Sequence, residues 1–183
     1  MKSGVRALGV AESARGEYSY LAGVVARASG GVDGFVFGQC TVGGSDATAA
    51  VCDLVARLGR EDVQYLLMAG IAPAWFNVID LRAVADETGL PTVSVTFEAS
   101  PGLDDAIRDA FDDDAVAADR LETYRAQPPR RELSVNDESI YVRAVGVDDA
   151  DAADVVRAYT PEGGRPEPVR VARLAARAHA DAV

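Results

Sequence analysis

Apolar and polar residues first alternate in strand-like runs, and the period then changes. Val5–Ala11 reads as a first strand, with Glu12-Ser13 at its exit and a polar turn over Ala14–Glu17. Tyr18–Ala28 and Val32–Thr41 follow as a second and third strand, joined by the hairpin-type turn Ser29-Gly30-Gly31. Together they predict an antiparallel meander. Beyond Gly43-Gly44, Ala49, Val51, Cys52, Val55 and Leu58 fall at helical spacing, with Ser45 or Asp46 as N-cap and Gly59 as the stop. Val63–Met68 is a short, nearly continuous apolar run, bounded by charge on one side and Gly70 on the other. Strands buried on both faces read this way.

Strands and helices then alternate. Asn77 is placed to cap a helix over Val78–Thr88, and Leu90-Pro91 leads into a β-branched strand, Thr92–Phe97. Ser100-Pro101 opens a helix over Gly102–Phe111, and Asp114–Tyr124 forms another. Gln127–Arg131 is a connector with two prolines and two arginines. Glu132–Val135 and Ser139–Val145 predict an edge hairpin turning at Asn136-Asp137, before closing helices over Asp148–Tyr159 and Pro168–Ala180. Aspartates at 112–114 and 148–154 suit helix starts, where the dipole favours acids. The strand Val63–Met68 empties into an irregular loop, Gly70–Asn77, ahead of a helix. Open α/β sheets place their ligands at such points, so the site is expected there, facing the end of the first strand.

Composition narrows the class. At 183 residues with 49% hydrophobic content, one domain spanning 1–183 with a full core is expected. No window reaches the roughly 18–20 apolar residues of a membrane span, and Met1–Arg6 carries no leader-like apolar region, which predicts a cytoplasmic protein with no membrane partner. Cys40 and Cys52 form no metal or redox motif and read as small buried hydrophobes. There are 29 acids against 18 bases, for a net charge of −11, and Lys2 is the sole lysine. Such a surface predicts a salt-adapted (halophilic) source. It argues only weakly against nucleic acid, because in molar salt the Debye length is about 3 Å and long-range steering is lost.

Four stretches carry a family resemblance. Gly4–Val10 (GVRALGV), Val42–Thr48 (VGGSDAT), Gly70–Leu81 (GIAPAWFNVIDL) with Thr88–Pro91 (TGLP), and Pro166–Ala172 (PEPVRVA) occur in an order that resembles an archaeal family related to endonuclease V, endonuclease dU-like. The resemblance spans nearly the whole chain. It implies an α/β, ribonuclease H-like fold: a mixed five-strand core sheet, three antiparallel strands then parallel ones, flanked by helices, with the C-terminal hairpin added. It also implies cleavage of nucleic acid near a deaminated base, as in DNA repair, with Mg²⁺ held by acids at the ends of the first and fourth strands.

This chain departs from the implied pattern. Ala11 followed by Glu12 stands at the first-strand position, Ala69 at the fourth-strand position, and Arg173 where the last helix of related enzymes offers a His or Asp. Alternation puts Glu12 on the face opposite Ala11. No metal is therefore expected at Ala11 and Ala69, while Glu12 could hold one weakly. The candidate catalytic residues are Glu12 and Asp46, with Glu167 a further acid. Candidates for nucleic-acid contact are Trp75, Asn77, Arg170 and Arg173, while the lone histidine, His179, reads as a surface residue. Two functions stay open: a repair-type nuclease with an altered or lost Mg²⁺ site, and an inactive relative serving as a nucleic-acid- or protein-binding scaffold.

Overall fold

The computed structural model describes residue 2 and residues 4–183; Met1 and Ser3, part of the segment read as lacking a leader, lie outside the described residues. The strands are β1 (Arg6–Arg15), β2 (Tyr18–Arg27), β3 (Val32–Thr41), β4 (Val63–Ala69), β5 (Thr92–Thr96), β6 (Arg131–Val135) and β7 (Glu138–Val145). The helices are α1 (Ala47–Leu58), α2 (Pro73–Phe76), α3 (Leu81–Thr88), α4 (Asp104–Ala110), α5 (Asp114–Arg125), α6 (Asp149–Ala158) and α7 (Glu167–Ala182). All seven strands join one sheet in the order β3-β2-β1-β4-β5-β7-β6. The expected meander is present, β1 and β4 are adjacent and parallel, and β5 continues the parallel run. The hairpin pairs antiparallel onto β5, so it extends the same sheet and does not stand apart from it. Asn136 and Asp137, with φ 48° and 67°, make its turn as the sequence predicts.

Period-two alternation sorts the core into two layers. Leu8, Val10, Leu66 and Met68 face α1 and α3, whereas Ala7, Leu67, Val93 and Val95 face α6 and the start of α7. Both sides of β4 are apolar because both are covered, which is why its sequence does not alternate. Asp113 and Asp148 cap α5 and α6, bearing out the reading of the aspartate clusters. Cys40 and Cys52 are free and buried. No helix among the described residues is long and apolar enough to cross a membrane.

Three local expectations are corrected. β1 does not end at Ala11 but runs to Arg15, because its ladder with β2 continues through Glu12↔Leu21 to Arg15↔Tyr18. Asn77 does not cap α3. Asp80 does, accepting from the amides of Arg82 and Ala83, because Val78 and Ile79 are buried in an extended connection. Helix α4 starts at Asp104 after Leu103, and the Ser100 hydroxyl instead closes a local turn onto Gly102.

Helix α7 lies directly on β1. A Cβ built on Gly9 would stand 2.2 Å from the Pro168 carbonyl carbon, well inside contact distance. From there Ala172, Ala176 and Ala180 run along the buried side of the helix at four-residue spacing, against a sheet surface that includes Ala11 and Val24. Small residues on both surfaces let helix and sheet approach closely. Gly9→Ala should therefore force α7 off the sheet. We expect a loss of about 3 kcal/mol, lowering the melting temperature by roughly 6–12 °C for a chain of this size, measured by calorimetry against wild type.

Candidate nucleic-acid cleft at the ends of the central strands

Just past the last rung of the β1–β4 ladder, Val10↔Met68, the two strands meet as methyl groups. Ala11 is 4% exposed and packs with Val24 and Ala172, with Ala69 against the same cluster. Glu12, one residue on, projects from the opposite face of the sheet, as alternation requires, and its carboxylate accepts a hydrogen bond from the buried Ser19 hydroxyl.

Asp46 tightens the turn between β3 and α1. It makes no side-chain cap to its helix. Its carboxylate accepts from the Thr41 amide at 3.0 Å, the Thr41 hydroxyl at 2.9 Å and the Asn77 side-chain amide at 2.7 Å. Burial alone would raise its pKa, but these hydrogen bonds outweigh that effect and hold the carboxyl below its ordinary value. Burial pushes the Cys40 thiol up to about 12, and the charges of Asp46 and Glu12 push it further the same way. Both candidate acids thus stand near Cys40, on the side of the sheet away from Ala11, Ala69 and Ala172.

The loop after β4 contains a left-handed turn built without glycine. Ala74, Trp75 and Phe76 have φ of 51°, 58° and 54°. Such residues cost of order 1–3 kcal/mol each and persist only where surrounding contacts over-determine them. Asn77 supplies the contacts. It is fully buried, accepts from the Ala47 amide at 2.9 Å, and donates to the Thr41 carbonyl and to Asp46. This corrects its reading as a nucleic-acid contact, since the amide is fully engaged inside the protein. Trp75 is 59% exposed, its indole nitrogen donating to the Ala110 carbonyl at 3.3 Å.

Across the carboxyl ends of β4 and β5 opens a cleft of about 840 Å³. Five arginines line it, Arg130, Arg143, Arg165, Arg173 and Arg177, against one carboxylate, Glu98. Arg130 is held at 2.9 Å to the Thr96 hydroxyl, bonds the Glu98 carbonyl, and lies 4.1 Å over the Tyr141 ring. Arg143 bonds the Pro128 carbonyl and sits 5.4 Å from the Tyr124 ring; burial holds its pKa below the ordinary guanidinium value. Arg165 lies 4.2 Å over Phe97. Arg173 and Arg177 project from α7 one turn apart. Among the described residues none of the five has an ion-pair partner, whereas nine other arginines do. Five guanidiniums gathered against a single carboxylate, in a protein of net charge −11, make this cleft a candidate anion site.

Of the residues expected from the sequence, Arg173 lines this cleft and Trp75 stands two residues beyond Pro73, which also lines it. Arg170 does not line it; the side chain forms a bidentate pair with Glu167 at 2.7 and 2.8 Å that lowers the Glu167 pKa and raises its own. His179 packs against Phe37 and Tyr20 on β3 and β2. Sequence reasoning missed Arg130, Arg143, Arg165 and Arg177. A signal existed for Arg177, four residues after Arg173 on one helix, whereas Arg143 reaches the cleft through its pairing opposite Ser94 of β5, which local sequence does not reveal.

The mixed sheet, its flanking helices and a site at the ends of the central parallel strands define an endonuclease V-like fold. The chain matches human ENDOV with a TM-score of 0.64 at 17% identity over 97% of this chain and 84% of that one. It matches Ciona intestinalis endonuclease V, solved with a DNA containing inosine, at 0.64 and 13% identity over 97% and 86%. A protein of unknown function from Archaeoglobus fulgidus matches with a TM-score of 0.83 and 26% identity over 95% and 97%. The profile of Endonuclease dU matches residues 3–180, and the chain belongs to that family. A UPF0215 protein of Thermococcus kodakarensis is 37% identical over 88% of this chain and 82% of its own, and one of Pyrobaculum calidifontis is 35% identical over 92% and 93%.

The Mg²⁺ that the resemblance implies does not fit the residues at this site. A hard divalent cation needs oxygen ligands from converging carboxylates. Here the converging side chains are alanines, the adjoining cleft carries guanidiniums, and no group of three His, Cys, Asp or Glu gathers among the described residues.

Two expectations follow. Asp46→Asn should cost stability at neutral pH. Because the folded pKa of Asp46 is depressed, its contribution is fully present above the ordinary value of 3.8 and is lost as pH falls through the folded value. Melting curves of variant and wild type should therefore differ at neutral pH and converge below about pH 4. Ala11→Asp combined with Ala69→Asp should destabilise by about 2–4 kcal/mol without divalent metal, through burial and mutual repulsion of two carboxylates. Added Mg²⁺ should restore part of that loss by mass action, read in calorimetry. A double variant indifferent to metal and as stable as wild type would show that these alanines do not stand where a cation could be held.

Proposed function

We propose that this chain is a nucleic-acid-binding member of the Endonuclease dU family in which an arginine cleft receives backbone phosphate where related enzymes would hold a cation. The observation that carries this reading is the five guanidiniums without an ion-pair partner among the described residues at the ends of β4 and β5, beside Ala11 and Ala69 where the β1–β4 ladder ends. Guanidinium forks match phosphate oxygens geometrically and keep their charge at any physiological pH. The cleft also suits the source expected from composition, since short-range paired hydrogen bonds survive salt that screens long-range attraction. A structural relative solved with inosine-containing DNA supports nucleic acid as the partner class. The protein captures its strand and does not cut it through a carboxylate-held metal. Glu12, bonded to Ser19 opposite Cys40, and Asp46, bonded to Thr41 next to it, support a second reading, a repair-type nuclease for deaminated bases with a displaced centre.

Fluorescence anisotropy with oligonucleotides containing deoxyinosine, deoxyuridine or neither, across a KCl series, tests the first reading. Wild type should bind, and Arg173→Ala with Arg177→Ala should weaken binding roughly tenfold or more and flatten the salt dependence by about one unit of slope per lost phosphate contact. The same mixtures with Mg²⁺ or Mn²⁺ should show no strand cleavage. Cleavage that disappears in Glu12→Gln or Asp46→Asn would establish the second reading in place of the first.

A further inference from the structure

We infer that Trp75 is a stacking platform for an unpaired base, so that the cleft selects single-stranded nucleic acid over an intact duplex; this rests on the cleft reading above. Three observations at the β4–α3 loop meet on this residue. Trp75 is the only tryptophan of the chain and is 59% exposed, the largest exposure of a large hydrophobic residue among the described residues. It sits in the middle of three consecutive left-handed residues, none a glycine, and the buried Asn77 holds that turn in place from beneath. The turn is further fixed by the Gly43 amide on the Ala74 carbonyl at 2.7 Å and the Asn77 amide on the Pro73 carbonyl at 3.0 Å. The strained turn holds an exposed indole in a fixed place.

The surroundings suit a base. The loop's own Ala72 and Pro73 line the arginine cleft, as does Leu103 at the start of α4, and the Trp75 indole is anchored to the other end of that helix at Ala110. Behind it, Arg120 lies 5.7 Å from the Phe111 ring, reaches the Gly43 carbonyl at 3.4 Å and pairs with Asp119, so this buried guanidinium braces the turn beneath the indole and is not free for a ligand. An exposed indole at one end of α4, with the guanidiniums of the cleft beyond its other end, offers a strand a place for one base here and for its phosphates there. In a duplex both faces of each base are already stacked, so the platform discriminates by strandedness and not by base identity. The occupant is a nucleic acid strand because the cleft gathers guanidiniums, whose forks match phosphate oxygens, beside an exposed indole on which a base stacks.

The single tryptophan makes the test direct. Titrating wild type with a short oligothymidylate should quench Trp75 emission in step with anisotropy, and a blunt duplex of the same length should quench it much less. Trp75→Gly removes the ring while easing the left-handed backbone, so its melting temperature should equal or exceed that of wild type. Its affinity for the single strand should fall about five- to a hundredfold, the loss expected for one stacked base, with duplex affinity unchanged. Trp75→Phe should retain part of the affinity. Oligothymidylate binding without quenching, or equal binding by Trp75→Gly, would overturn the stacking role and leave the cleft reading standing. Failure of wild type to bind either probe, with the protein folded by its melting curve, would overturn both. A Trp75→Gly variant that melts lower yet binds normally would make the indole a structural plug.

Discussion

The contact between Gly9 and the Pro168 backbone governs the rest of the structure. Because β1 has no side chain at that point, α7 begins against the sheet itself, and its alanine stripe can follow across β1 and β2. That close seating fixes both the height and the rotation of the helix. With Ala172 and Ala176 turned inward, Arg173 and Arg177 are left at the edge facing the ends of β4 and β5. One missing methyl group on β1 thus helps set where two guanidiniums stand beside the cleft. The same seating packs Ala11 and Ala69 with Ala172.

Electrostatics divides the molecule in two. Most arginines outside the cleft are neutralised by neighbouring acids, including the bidentate Arg170–Glu167 pair and the Arg6–Asp33–Arg27 group. Exposed pairs of this kind contribute little to stability, but they remove positive charge from the surface. The five cleft arginines are instead held by aromatic faces, carbonyls and a threonine hydroxyl, which position the cation without cancelling it. A strongly acidic chain therefore keeps one concentrated positive site.

Local strain and buried polarity are coupled beside that site. The turn at Ala74–Phe76 is held by Asn77, and Asn77 also bonds the β3–α1 turn through Thr41, Asp46 and Ala47. Asp46 and Asn77, which the sequence offered as a catalytic acid and a nucleic-acid contact, are joined to each other and brace two loops. Rigid loops at the ends of parallel strands suit recognition, because little order has to be imposed when a ligand arrives.

Much of the fold was legible in the order of residues. The meander, the buried strand Val63–Met68, the alternating helices and the Asn136-Asp137 turn all follow from local periodicity and turn chemistry, which need only near neighbours. Alternation also fixed Glu12 on the face opposite Ala11, since successive strand side chains diverge whatever the strand pairs with. What the sequence could not decide depended on distant segments meeting. The length of β1 was set by its ladder with β2, and Asn77 became a buried brace because residues some thirty positions earlier came to lie against it. The cleft is the strongest case: its arginines come from a connector, a strand, a loop and a helix between positions 130 and 177. Each alone reads as an ordinary surface charge, and only the sheet order that sets β7 beside β5 and α7 across β1 gathers them around one space.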